Sequence, residues 1–201
     1  MFDPIILNDV FDKKDFKKLK SFIEENQNNL IFDTRSHRLD LQHEILNTYF
    51  CKKLEPLAKE IFKDKTLKTT YTHYSKYNHP LSNLIRHKDI NACTYTIDLC
   101  ISANTPWGIW IENKEYVLSP GQAIAFLGEE QEHWRGPFPD PYDNVVEMIF
   151  FHFAPEDHWF FTHGPQYKQE LERLANIKND HLKLGYLSKD YSEWLKEIEG
   201  L

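Results

Sequence analysis

Hydrophobic and polar positions change period twice along this chain. Over residues 12–27, Phe16, Leu19, Phe22 and Ile23 recur at three- and four-residue steps among lysines and glutamates, which places them on one face of a helix. Residues 42–62 repeat the pattern with Leu54, Leu57, Ile61 and Phe62, and Pro56 either kinks this helix or starts a second one. The stretch FDTRSHRLD between them is polar and reads as a loop. From Leu67 the period shortens. LKTTYTHYSKY is rich in Thr and Tyr and reads as a strand, followed by ACTYTIDLCIS, WGIWIENKEYVL, GQAIAFLG and NVVEMIFFHF, with polar, Pro or Gly breaks between them. Alternation puts Tyr71, His73 and Ser75 on the face of Tyr77, and His152 on that of Val146, Met148 and Phe150. Beyond Pro165 the helical period returns, giving helices over 166–199. The expected architecture is one α+β domain spanning 1–201, with helices over 12–27 and 42–62, a sandwich or barrel core over about 67–154, and helices after it.

Composition narrows the function. A chain of 201 residues, 41% hydrophobic and 27% charged, suffices for one full-sized core. The net charge of −7, with no block of one sign, argues against a general nucleic-acid binder, which needs a basic face for phosphates. Cys51, Cys93 and Cys100 form no CxxC pair, which fits buried thiols in a reducing compartment. The first residues carry acids where a signal peptide carries Lys or Arg, and no apolar run approaches the roughly 18 residues of a membrane span. A cytoplasmic protein that binds no membrane is expected.

The chemistry-bearing residues sit in the β region. His87 and Asp89 in LIRHKDIN are two apart, so an extended chain points both to one side while Lys88 points away. His133, in GEEQEHWRGPF, lies at the far end of the same run of strands. Two imidazoles and one carboxylate on one face of a metal leave coordination positions open, the facial triad of non-haem Fe(II) oxygenases. No soft ligand accompanies them, which disfavours a zinc–thiolate site.

On these residues the chain resembles the 2-oxoglutarate/Fe(II)-dependent dioxygenases, and within them the prolyl-hydroxylase-like branch. Tyr77 stands ten residues before His87, as does the cosubstrate-binding tyrosine of that branch, and SPGQAIAFLGEEQEHW resembles the family's strand, turn and second-histidine segment. The resemblance spans roughly residues 67–154. It implies a double-stranded β-helix (jelly-roll, cupin-like) core, Fe(II) on His87, Asp89 and His133, 2-oxoglutarate as cosubstrate and dioxygen as oxidant. It also implies hydroxylation of an unactivated C–H on a small molecule or a peptide side chain, with no side chain needed as general base beyond the metal ligands.

The chain departs from the family at one point. The basic residue expected nine to fourteen positions after the second histidine is missing between Tyr142 and Glu147. Arg135 is the nearest substitute, since a guanidinium can take a carboxylate in a bidentate grip, with His152 and Lys76 as second choices. His73, His152 and Trp107 are possible pocket residues, although an interior histidine or a packed indole serves the barrel equally well. Two alternatives stay open: a cupin-like metal enzyme that does not use 2-oxoglutarate, and a non-catalytic jelly roll that binds a ligand or protein.

Overall fold

The computed structural model of the protein describes residues 2–139 and 142–162. Its elements are β1 (Ile5–Leu7), α1 (Lys13–Glu25), β2 (Ile31–Asp33), β3 (Arg38–Leu41), α2 (Lys52–Ile61), β4 (Lys68–Tyr77), β5 (Leu84–His87), β6 (Tyr95–Ala103), β7 (Ile109–Ile111), β8 (Lys114–Tyr116), β9 (Ala123–Phe126), β10 (His133–Arg135), β11 (Val146–Ala154) and α3 (Trp159–Thr162). The chain divides into two compact units, residues 1–154 and 155–201. Within the second, the described residues contribute α3. The expected helices over 166–199 lie outside the described residues.

The first unit holds two antiparallel sheets. One has seven strands in the order β1-β9-β6-β11-β4-β3-β2, the other four in the order β5-β10-β7-β8. The large sheet is covered on both faces, and its sequence alternates accordingly. Tyr74, Ile97, Leu99, Ile101, Ile149, Phe151 and Phe153 pack with Leu19 and Ile23 of α1 and with Leu54 and Ala58 of α2. Tyr77, Cys100, Ile124, Phe126, Met148 and Phe150 point the other way and pack against Ile109, Ile111 and Tyr116 of the small sheet. Two sheets packed face to face with helices against one of them form the expected jelly-roll core.

Local signals explain the first helix. Asp12 caps α1 by accepting a hydrogen bond of 2.7 Å from the Asp15 amide. Two stretches differ from expectation. The polar segment read as a loop is the hairpin β2–β3, which pairs onto β4 with Leu39 opposite Lys76 and Asp40 opposite Ser75. Its strands are fixed by partners some 35 residues away, which local polarity does not reveal. The helix expected over 42–62 is in fact a π turn, Leu46–Cys51, running into α2. Pro56 lies inside α2 without ending it.

Candidate active site

Three side chains from two neighbouring strands of the small sheet and the turn after one of them converge. Antiparallel pairing of β10 with β5 sets His133 directly opposite His87, and their ring centroids are 4.3 Å apart. Asp89 follows β5 by two residues. It is held by its own amide, which donates to the Gly128 carbonyl at 2.9 Å. The Nε2 atoms of His87 and His133 lie 3.4 Å and 3.5 Å from Asp89 Oδ1. All three donor atoms fall within 4.8 Å of one another.

The surroundings prepare these atoms for a cation. His87 Nδ1 is 2.7 Å from the Ile85 carbonyl and His133 Nδ1 is 2.9 Å from the Gln131 carbonyl. A carbonyl only accepts, so each Nδ1 carries a hydrogen, which leaves each Nε2 as the atom available to a metal at the centre. Thr96 Oγ1 donates to the other oxygen of Asp89 at 3.3 Å, leaving Oδ1 for the metal. With its hydrogen so used, Thr96 accepts from His152 Nδ1 at 3.2 Å. Two metal bonds of about 2.1 Å meeting near a right angle hold their donor atoms about 3 Å apart. The observed spacings exceed that by roughly half an ångström, so a divalent cation fits with a small inward movement of the rings.

Electrostatics agree with that reading. Burial alone pushes the Asp89 carboxyl up, but His133 and His87 outweigh it and hold Asp89 well below the usual carboxylate range. Burial likewise works against the charged form of His133, and the adjacent Asp89 overcomes it and raises its pKa. Gly128 is required at its position. A Cβ there would collide with the Asp89 carboxylate, the Cys93 carbonyl and Thr96 Oγ1.

Several polar side chains are buried on the inner faces of the two sheets. Tyr77 is fully buried, and its hydroxyl accepts from Arg38 Nη1 at 3.0 Å. Arg135 is also buried. Its Nη1 donates to the Trp107 carbonyl at 2.6 Å, and its guanidinium lies over the Trp107 ring at 4.9 Å. Trp107 packs edge-on to Tyr77 with centroids 4.8 Å apart, and its Nε1 donates to the Gly136 carbonyl. His73 and His152 lie farther along the same inner face, stacked with centroids 5.8 Å apart and each in contact with Tyr71. Tyr77, Trp107, Arg135, His73 and His152 thus lie on the inner side of the sheets. Lys76 does not: it points outward and donates to Gln27.

Two inward-facing charges escaped the sequence reading. Arg38 of β3 binds Asp40 at 2.9 Å and lies over the Tyr77 and Phe150 rings. Its signal was hidden in a segment read as loop. Asp98 of β6 is 2% exposed, and its Oδ1 has no hydrogen-bond partner. Alternation with Thr96 and Cys100 in TYTIDLCIS carried that signal, since a lone acid in an otherwise apolar strand demands a reason.

No protein-family model and no curated protein matches the sequence. Solved structures do match. A prolyl-4-hydroxylase from Pseudomonas putida superposes with a TM-score of 0.58 at 10% identity, covering 77% of this chain and 94% of that one. The fold is that of the 2-oxoglutarate/Fe(II) oxygenases. HygX from Streptomyces hygroscopicus, crystallised with nickel, 2-oxoglutarate and hygromycin B, gives a TM-score of 0.57 at 8% identity, over 77% of this chain and 83% of its own. The epimerase SnoN of nogalamycin biosynthesis, described as α-ketoglutarate-dependent, gives 0.59 at 8% identity, over 79% and 83%.

Proposed function

We propose that the protein is a non-haem Fe(II)- and 2-oxoglutarate-dependent oxygenase that hydroxylates an unactivated C–H of a small molecule or a peptide side chain. The observation that carries this reading is the convergence of His87 Nε2, His133 Nε2 and Asp89 Oδ1, each with its second polar atom already hydrogen-bonded elsewhere. His87, Asp89 and His133 would hold the metal, and Tyr77 and Arg135 the cosubstrate. His73, His152 and Trp107 would line the pocket. When bound, metal and cosubstrate together supply a two-electron oxidation in which 2-oxoglutarate and dioxygen yield succinate and carbon dioxide, and one oxygen atom goes to the substrate.

The protein's own share is placement and shielding. Asp89 brings one negative charge and the histidines none, so the metal keeps a net positive charge with which to bind an anionic cosubstrate. Arg135 offers planar N–H donors to a carboxylate, and the Tyr77 hydroxyl keeps its hydrogen free to donate, because Arg38 is the donor in their mutual bond. Ile109, Ile111, Phe126 and Phe150 form an apolar cluster between the sheets that would help exclude water from a reactive centre. No helix among the described residues is long and apolar enough to cross a membrane. The three cysteines are free and buried, which supports the cytoplasmic setting.

A second reading, a metal enzyme that dispenses with 2-oxoglutarate, draws on β11, whose inward positions are Val146, Met148, Phe150 and His152 with no Arg or Lys. Anaerobic titration with Fe(II) and then 2-oxoglutarate separates the two. Growth of a weak visible charge-transfer band to one equivalent, lost in Arg135→Ala, supports the proposal. Fe(II) binding without the band moves the assignment to the second reading. Absence of metal binding leaves a jelly-roll binding protein.

A further inference from the structure

The two oxygens of Asp89 have different neighbours. Oδ1 lies beside the Nε2 atoms of His87 and His133. Oδ2 accepts from Thr96 and, with the Cys93 carbonyl, walls the space over Gly128. Cys93 ends a 3-10 turn, Asn91–Cys93, and its amide donates to the Ile90 carbonyl at 2.8 Å. His152 arrives from β11, where it pairs with Thr96 of β6. One ligand atom each from Asp89, Cys93 and His152 lies within 4.8 Å of the other two. Cys93 and His152 are 1% and 3% exposed. Thr96 orients two members of this set, donating to Asp89 Oδ2 at 3.3 Å and accepting from His152 Nδ1 at 3.2 Å. With the hydrogen on Nδ1, His152 has Nε2 to offer a metal. The Tyr71 hydroxyl is 3.1 Å from Cys93 Sγ, placed to donate to the sulfur once it is a thiolate.

We infer that Asp89, Cys93 and His152 form a second metal site, which takes a thiophilic divalent cation of the zinc class and shares Asp89 with the His87–Asp89–His133 centre. A thiolate, an imidazole and a carboxylate are donors that such a cation prefers, and three protein ligands leave its fourth tetrahedral position open. Bonds of about 2.0–2.3 Å at tetrahedral angles hold donor atoms about 3.3–3.6 Å apart, so the set closes by at most about 1.5 Å on the ion. On binding, the sulfur–hydrogen bond gives way to a sulfur–metal bond and the proton leaves to solvent. The sequence hides this set: Cys93 follows Asp89 by four residues, but His152 joins them only through the pairing of β11 with β6. Sharing has a consequence, since Asp89 cannot be removed without loss at both sites. The inference does not depend on which cosubstrate the first site takes.

The test is anaerobic titration of the reduced, metal-free protein with Co(II), whose bond to a thiolate gives a near-ultraviolet charge-transfer band that histidine and carboxylate ligands do not. Two equivalents are expected to bind, one of them with the band, and Zn(II) added afterwards bleaches it. Cys93→Ser should lose the band and keep the thiolate-free equivalent, His87→Ala should keep the band, and Asp89→Ala should weaken both equivalents. Should Cys93→Ser fail to fold, a wild-type band that survives in both Cys51→Ser and Cys100→Ser assigns the sulfur to Cys93. A thiolate-free equivalent alone, a band that survives in Cys93→Ser, or a band unchanged in Asp89→Ala overturns the inference and leaves the oxygenase reading standing. Failure to bind cobalt at all overturns both.

Discussion

Replacing Gly128 by Ala tests whether the Asp89 carboxylate is placed by its surroundings. The added methyl meets Asp89 Oδ2, Cys93 O at 2.5 Å and Thr96 Oγ1 at 2.6 Å. The Cys93 carbonyl is backbone, so ordinary contact near 3.4 Å needs an opening of about 0.9 Å in a packed wall. The Asp89 side chain is the softest of the three and moves first. Its movement breaks the Thr96 hydrogen bond and turns Oδ1 away from the two Nε2 atoms. Overpacking of this kind costs about 1–3 kcal/mol of stability. Disturbing groups that orient a metal ligand costs about 10- to 100-fold in metal affinity. Anaerobic Fe(II) or Mn(II) titration reads the second effect and thermal melting of the metal-free protein the first. Metal affinity unchanged in a Gly128→Ala protein would refute the claim that the Gly128 contact holds Asp89 in ligating position. A lowered melting temperature with intact metal binding would show that the strain is absorbed at Cys93 instead.

Asp89→Ala removes the charged ligand and is expected to weaken Mn(II) binding by at least about 100-fold, as read by fluorescence or calorimetric titration; retained metal would defeat the assignment. Tyr77→Phe deletes the hydroxyl whose hydrogen, left free by the Arg38 bond, is proposed to reach the cosubstrate, a hydrogen bond worth about 1–1.5 kcal/mol. It should raise the dissociation constant for 2-oxoglutarate about 5- to 15-fold while leaving metal affinity unchanged. Asp98→Asn should stabilise the protein at pH 8 and much less at pH 5. An unfolded aspartate ionises near 3.9 and this one at about 7, so the unfolded state binds fewer protons across that window and wild-type stability falls as pH rises through it. Three units correspond to at most about 4 kcal/mol, and equal stabilisation at the two pH values would refute the burial argument.

The strands were legible because each face of the large sheet is covered by a different partner, and alternation survives in the sequence. Ile97, Leu99 and Ile101 pack towards the helices while Thr96, Asp98 and Cys100 face inward. The nearness of His87 to Asp89 was legible for a related reason: a period of two sets them side by side. That His133 comes to lie directly opposite His87 depends on the register of β10 on β5, which no local pattern encodes. The hairpin β2–β3 was missed because strands stabilised by long-range pairing look like polar loop, and Arg38 went with it.

The absent basic residue on β11 then has a structural account. Its inward positions pack with the inner faces of β4 and β6, where Val146, Met148 and Phe150 join the apolar cluster that includes Tyr77 and Cys100. Positive charge enters instead from the flanks, as Arg135 on β10 and Arg38 on β3. Arg135 stacks on Trp107 and Arg38 is neutralised in part by Asp40, so the two are not equivalent. Arg38 spends its charge on Asp40 and Tyr77, and burial pulls Arg135 towards its neutral form against the opposition of Tyr77 and Asp98. The guanidinium with the larger unmet demand for an anion is therefore Arg135. Asp98 and Arg135 each act on the other's ionisation, so the two residues must be altered together to separate charge from shape. If repulsion from Asp98 sets the affinity, Asp98→Asn recovers part of the binding lost in Arg135→Lys. If shape sets it, the losses simply add.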